Sequence, residues 1–223
     1  MRLWIGLSFL LPAIGGPLSA GEQGVLVDEV VAVVNKQVIT HSEVREEALL
    51  ILVERRGQAG LDREITPAFL AEVLDFLINQ QVLLDEARRV ELPPVSPDEV
   101  EQLLAGFRDR FSSREAYARF LLEHGLAEST ISEVLMRHLR VERLKASKLR
   151  VVAPVTDEAV RQYYEKNRAR FGGADIETVS GAIRHKLGQQ TRDKVLARWI
   201  WDLRRRSEVK VLVDLDAPGG EEP

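Results

Sequence analysis

Four histidines, His41, His124, His138 and His185, are the residues of this chain best suited to proton transfer or metal binding, and they are widely scattered. Neither the H-E-x-x-H pattern, which sets two imidazoles on one helix face, nor the G-x-S-x-G pattern, which exposes a serine at a strand-to-helix turn, occurs. Each histidine is therefore read as structural. The pairs Gly15-Gly16, Gly172-Gly173 and Gly219-Gly220 lack the lysine or acidic partners of a nucleotide-cradling loop, so ATP use is not expected. With no cysteine, disulfides, thiolate metal sites and a lipid-modified cysteine are excluded. No cofactor or metal is expected, and no residue set is read as catalytic.

Two sets of residues could instead bind. The basic run Arg137, Arg140, Arg143, Lys145, Lys148 and Arg150 falls in the C-terminal half of a predicted helix, where cations complement the helix dipole, and is read as a solvated face. Arg204-Arg205-Arg206 follows the same logic, and weak contacts of either run with acidic lipid headgroups or acidic partners are the alternative. The formal net charge of −4 disfavours polyanions, so no nucleic-acid partner is expected. The second set, Phe107, Phe111, Tyr117, Phe120, Leu121 and Leu122, is the best candidate for an exposed apolar binding surface. Paired short helices carry more apolar faces than one small core readily consumes; core packing is the alternative. Trp199 and Trp201 stand two apart on a helix and cannot point the same way.

The elements that position these residues are mostly helices. Val30 to Val34 and Gln37 to Ile39 read as a hairpin, turned at Asn35-Lys36. Lys36 is unfavourable where a type I′ turn needs positive φ, which a longer turn through Gln37 would ease. Thr40 and Glu43 form a capping box for a first helix over Ser42 to Arg56, ended by Gly57, with 58–64 a loop. Thr66-Pro67 opens a second helix whose apolar residues run from Phe69 to Ala87, widened by Phe76, Val82 and Leu83. A helix apolar almost all round belongs at the centre of its domain.

Ser96-Pro97-Asp98-Glu99 starts a third helix, Ser112 or Ser113 a fourth that Gly125 closes, and Glu128 to Lys148 is a fifth. Thr156-Asp157-Glu158 caps a sixth. A long amphipathic helix then begins at Ile176, and Glu208 to Val213 alternates like a strand. That lone strand needs ladder partners, and the hairpin offers them, so the fold class is mainly α with a small sheet of an N-terminal hairpin and a C-terminal strand.

At the front, Met1-Arg2, the apolar stretch Leu3 to Leu11 and the small residues before Ala20 read as a secretory signal, cut after residue 20. The expected organisation is a leader over 1–20, one core over 21–214 in which 21–171 and 176–214 complete each other, and a disordered tail over 215–223. Nothing after the leader is expected to span a membrane.

The stretch V-D-E-V-V-A-V-V-N-K-Q-V-I-T-H-S-E-V over residues 27–44 resembles the opening of the SurA-like periplasmic chaperones. E-A-R-R-V-E-L, then S-P-D-E-V, then paired amphipathic helices extend the likeness to about Lys148. Y-Y-E-K-N-R-A-R-F is similar to the helix that leads toward a parvulin-type prolyl isomerase domain. Here only residues 172–175 separate Phe171 from Ile176, whereas even a small domain needs on the order of 50 residues. Arg184-His185-Lys186-Leu187 is weakly similar to a parvulin strand, but it lies in a helical pattern and is rejected as catalytic.

The resemblance implies a helical chaperone domain in the periplasm of a Gram-negative bacterium, holding unfolded exported polypeptides, outer-membrane protein precursors among them, without ATP. Phe107, Phe111, Tyr117, Phe120, Leu121 and Leu122 would then contact the client. The alternatives are a prolyl isomerase, by family association, and a non-catalytic scaffold for envelope assembly that grips one folded partner.

Overall fold

A computed structural model describes residues 28–216. The expected leader and nearly all of the expected tail lie outside the described residues. Strand β1 (Val30–Val34) and strand β2 (Gln37–Thr40) form the hairpin, with Val34 opposite Gln37. The turn is therefore the two residues Asn35-Lys36, not a longer one through Gln37. Positive φ falls on Asn35 alone, at 54°, so Lys36 is spared the strained position.

Helix α1 (His41–Arg56) starts with the expected capping box: the Glu43 N–H donates to Thr40 Oγ1, and the Thr40 N–H to Glu43 Oε2 at 3.0 Å. Gly57 ends it at a φ of 63°. A Cβ there would meet the Arg110 carbonyl oxygen at 3.1 Å, so glycine serves both conformation and space. The expected loop is a 3-10 turn, Gly57–Asp62. Helix α2 (Pro67–Arg89) begins with Thr66 accepting from the Phe69 N–H and proline at the first turn.

Helix α3 (Pro97–Arg108) has the Ser96–Glu99 capping box. Helix α4 (Arg114–His124) is capped by Ser113 and stopped by Gly125 at a φ of 64°. Helices α5 (Glu128–Leu149), α6 (Asp157–Lys166) and α7 (Ile176–Arg206) follow, α6 capped by Thr156. Strand β3 (Val209–Val211), shorter than its alternating pattern, pairs antiparallel with β1, so the sheet runs β2-β1-β3. The first and last described elements thus share one sheet.

Asn35 locks that junction. Its N–H donates to the Glu208 carbonyl at 2.7 Å, its Oδ1 accepts from the Glu208 N–H at 3.0 Å, and its Nδ2 donates to Asp85 of α2. Beneath the sheet, Val31, Val34, Ile39, Val44 and Leu203 pack on the apolar side chains of α2. By length and apolarity alone α2 could cross a membrane. Val73, Leu74, Leu77, Ile78, Val82, Leu83 and Leu84 are instead buried among α1, α5, α7 and the sheet, as the central position of an all-round apolar helix requires. Leu215, one residue past the expected end of the core, also packs partly on it.

Candidate functional site

The aromatic set weighed as a binding surface takes the other reading that its sequence allowed and packs as core. Phe107, Phe111, Tyr117 and Phe120 form a second core with Leu50 and Val53 of α1 and Ile131, Val134 and Leu135 of α5. Their rings meet at centroid distances of 5.1 Å for Phe111–Phe120, 5.4 Å for Phe111–Tyr117 and 5.8 Å for Phe107–Phe111, in edge or tilted contact. Leu121 is half-buried at the margin, and only Leu122 stands in solvent, 83% exposed. Helices α3 and α4 close over α1 and α5 and so consume the apolar faces that sequence left without a partner. The Tyr117 hydroxyl reaches Glu128 at 3.1 Å, and burial together with that carboxylate pushes the phenol up to about 12.

The open apolar surface lies elsewhere. Between α1, α2 and α5 a groove of about 490 Å³ is lined by Ile51, Phe69, Val73, Phe76 and Val141, with Glu54, Arg55, Glu72, Glu142 and Lys145 around it. Phe76 is 39% exposed, an aromatic ring held at the surface by a helix whose other faces are packed. His138 lies in the same groove with its Nε2 2.7 Å from Glu47 Oε1 and its Nδ1 3.8 Å from Glu54 Oε1, and the Phe76 ring meets it edge-on at 5.9 Å.

Glu47 is wholly buried, and its second oxygen, Oε2, has no hydrogen-bond partner among the described residues. Burial alone would drive the proton off His138, but hydrogen bonds and charge from Glu47 and Glu54 outweigh it and hold the imidazole up at about 9. The proton therefore stays in place at neutral pH. Gln80, 96% buried in the groove wall, has an Nε2 donor that meets no acceptor among the described residues. An apolar floor and one exposed ring suit the gripping of an apolar segment.

Against known proteins, the SurA-like N-terminal domain family matches residues 2–145, well over half of the chain. The chain belongs to the SurA-like N-terminal domain family. The chaperone SurA of Chromohalobacter salexigens is 25% identical over 170 residues, which are 74% of this chain and 38% of that protein. The chain thus spans well under half the length of the curated relative it matches. A solved chain from work on two structurally related SurA-like chaperones of Campylobacter jejuni, the virulence factor PEB4 and the periplasmic protein Cj1289, superposes with a TM-score of 0.52 at 10% identity. That superposition covers 83% of this chain and 99% of that one, and it supports the SurA-like fold. The family match ends inside α5, and only residues 172–175 lie between the 3-10 turn Arg168–Phe171 and α7.

Sequence reading missed Glu47, Glu54 and Gln80. A signal for two of them was present. Glu47 falls three residues after Val44 and four before Ile51, and Gln80 three after Leu77 and four before Leu84, so helical spacing puts both on apolar stripes, where a polar group needs a partner. The partner of Glu47 is 91 residues away in sequence, and no local rule names it.

Proposed function

We propose that this chain is an ATP-independent holdase of the periplasm, keeping unfolded exported polypeptides, outer-membrane protein precursors among them, from aggregating by seating their apolar side chains in the α1–α2–α5 groove. The observation that carries the proposal is that groove: an open apolar floor with an exposed Phe76, rimmed by charge, on helices within the family match. Burying two or three aliphatic or aromatic side chains contributes about 1.5–3 kcal/mol each before ordering costs. A micromolar complex needs about −8 kcal/mol, a grip that the client's own folding can outcompete. Broad specificity follows from an apolar floor that reads size rather than sequence.

The test is light scattering of an unfolded β-barrel protein diluted from denaturant, without ATP, with and without the chain. Suppression near equimolar ratio is expected, weakened several-fold by Phe76→Ser in a variant that melts as the parent does. Aggregation at the undisturbed rate would refute the proposal. Prolyl isomerisation finds no support in the residues between the 3-10 turn at Phe171 and α7, and turnover of a short proline peptide well above background would overturn that part of the reading.

A further inference from the structure

A second groove, of about 460 Å³, opens where β2, α2, the 92–95 connection and α5 converge. Val38, Met136 and Val95 give it apolar lining, with Val38 55% exposed. Three arginines and two glutamates share the walls. Arg88 is bound to Asp85 and Glu43 to the cap of α1. Arg137 and Arg140 are different: they lie three apart on α5, hence on one face, and each is half-buried. The Nε of each is shielded from water and has no acceptor among the described residues. The solvated face expected from sequence is thus not what these two residues form.

The two Nε atoms are sealed off, so a ligand in the groove would be met by the terminal N–H groups of the two guanidiniums, which are suited to taking a carboxylate through paired bonds. We infer that this groove binds an acidic side chain of an extended polypeptide, its carboxylate held by Arg137 and Arg140 and its apolar neighbours by Val38 and Met136. The inference rests on the holdase reading and adds a second, charge-selective contact to it. The occupant is a polypeptide rather than a polyanion because Glu43 and Glu133 stand beside the arginines, and Glu46 senses Arg137 through space. Repeated phosphates would meet those carboxylates at every step along the groove, whereas one carboxylate among neutral residues brings a single charge near them. Gln37 and Val38, moreover, belong to an edge strand with a neighbour on one side only, which suits an extended chain.

Fluorescence anisotropy of the whole chain with a dye-labelled aliphatic peptide carrying a single Glu, and with its Gln twin, tests the inference. The Glu peptide should bind about tenfold tighter. That preference should vanish in Arg137→Gln/Arg140→Gln and fall part-way in Arg137→Lys/Arg140→Lys, which keeps charge and stem but loses the fork. Equal affinity of the native chain for the two peptides, alongside normal suppression of aggregation, would overturn the inference and leave the holdase reading standing. Loss of suppression in the native chain would instead strike the holdase reading. Binding to anionic phospholipid vesicles that depends on the two arginines, without any Glu preference, would assign the groove to membranes and overturn the inference. The peptide comparison needs no variant, so it decides even if the double substitution fails to fold.

Discussion

His138 joins α5 to α1 through a charge that both partners need. Its proton is held up at about 9, against an unfolded value near 6.5, so folding gains from the charged form. The gain is fully present below about pH 6.5 and is lost as pH rises through about 9, because the unfolded chain sheds this proton first. With Glu47 wholly buried, the loss should approach a few kcal/mol. Denaturant midpoints measured from pH 6 to pH 10 should fall across that window and flatten in His138→Gln; an equal slope in the variant would remove His138 as the cause. The aromatic residues make a second contrast at this scale. Phe107→Ala should cost about 3–5 kcal/mol, since it empties part of a closed core, while Leu122→Ala should change stability by less than about 0.5 kcal/mol. Urea titration separates them, and a silent Phe107→Ala would mean that the second core is looser than it looks.

Among the elements, β3 carries the heaviest demand. Val209, Val213 and Leu215 pack partly on the main core, β3 covers one edge of β1, and Glu208 meets Asn35 twice. Deleting Ser207 to Pro223 removes all of these together, about 3 kcal/mol or more, which for a chain of this size lowers the melting temperature by at least ~6 °C. An unchanged melting curve would contradict the sheet. The pairing of β3 with the hairpin could be anticipated because a lone strand must find ladder partners and only one other strand pair existed. Helix starts were legible for a similar reason: Thr40 with Glu43, Thr66 with Pro67 and Ser96 with Glu99 act within four residues, so sequence contains the whole interaction. The α1–α2–α5 groove was not legible. Whether Phe76 or Phe107 faces solvent depends on which helices lie across it, and the choice of α3 and α4 to cover α1 and α5 is made by packing between elements far apart in sequence.

At the scale of the whole molecule, the three apolar clusters among the described residues differ in size and in how they are tied together. The sheet cluster and the aromatic cluster share α1 and α5, so neither opens without disturbing the other. The third is small: Val160, Tyr164 and Ile183 are buried, with Phe171 stacked on Tyr164 at 5.4 Å and the Tyr164 hydroxyl on the Ala174 carbonyl at 2.9 Å. It hangs on α7, a 31-residue helix whose residues Gln189 to Lys194 are all exposed. Local opening needs little apolar surface to be lost, so the α6–α7 hairpin should open at a lower free energy than α2. Ile183→Ala removes one of three buried side chains there, and a cost of about 2–5 kcal/mol exceeds what so small a cluster can supply. Hydrogen exchange followed by mass spectrometry should then show protection lost over Asp157 to about Gln190, with α2 and β1 unchanged and the main melting transition in place. Loss of protection spread evenly through α2 would mean that α7 transmits the damage and that the three clusters unfold as one.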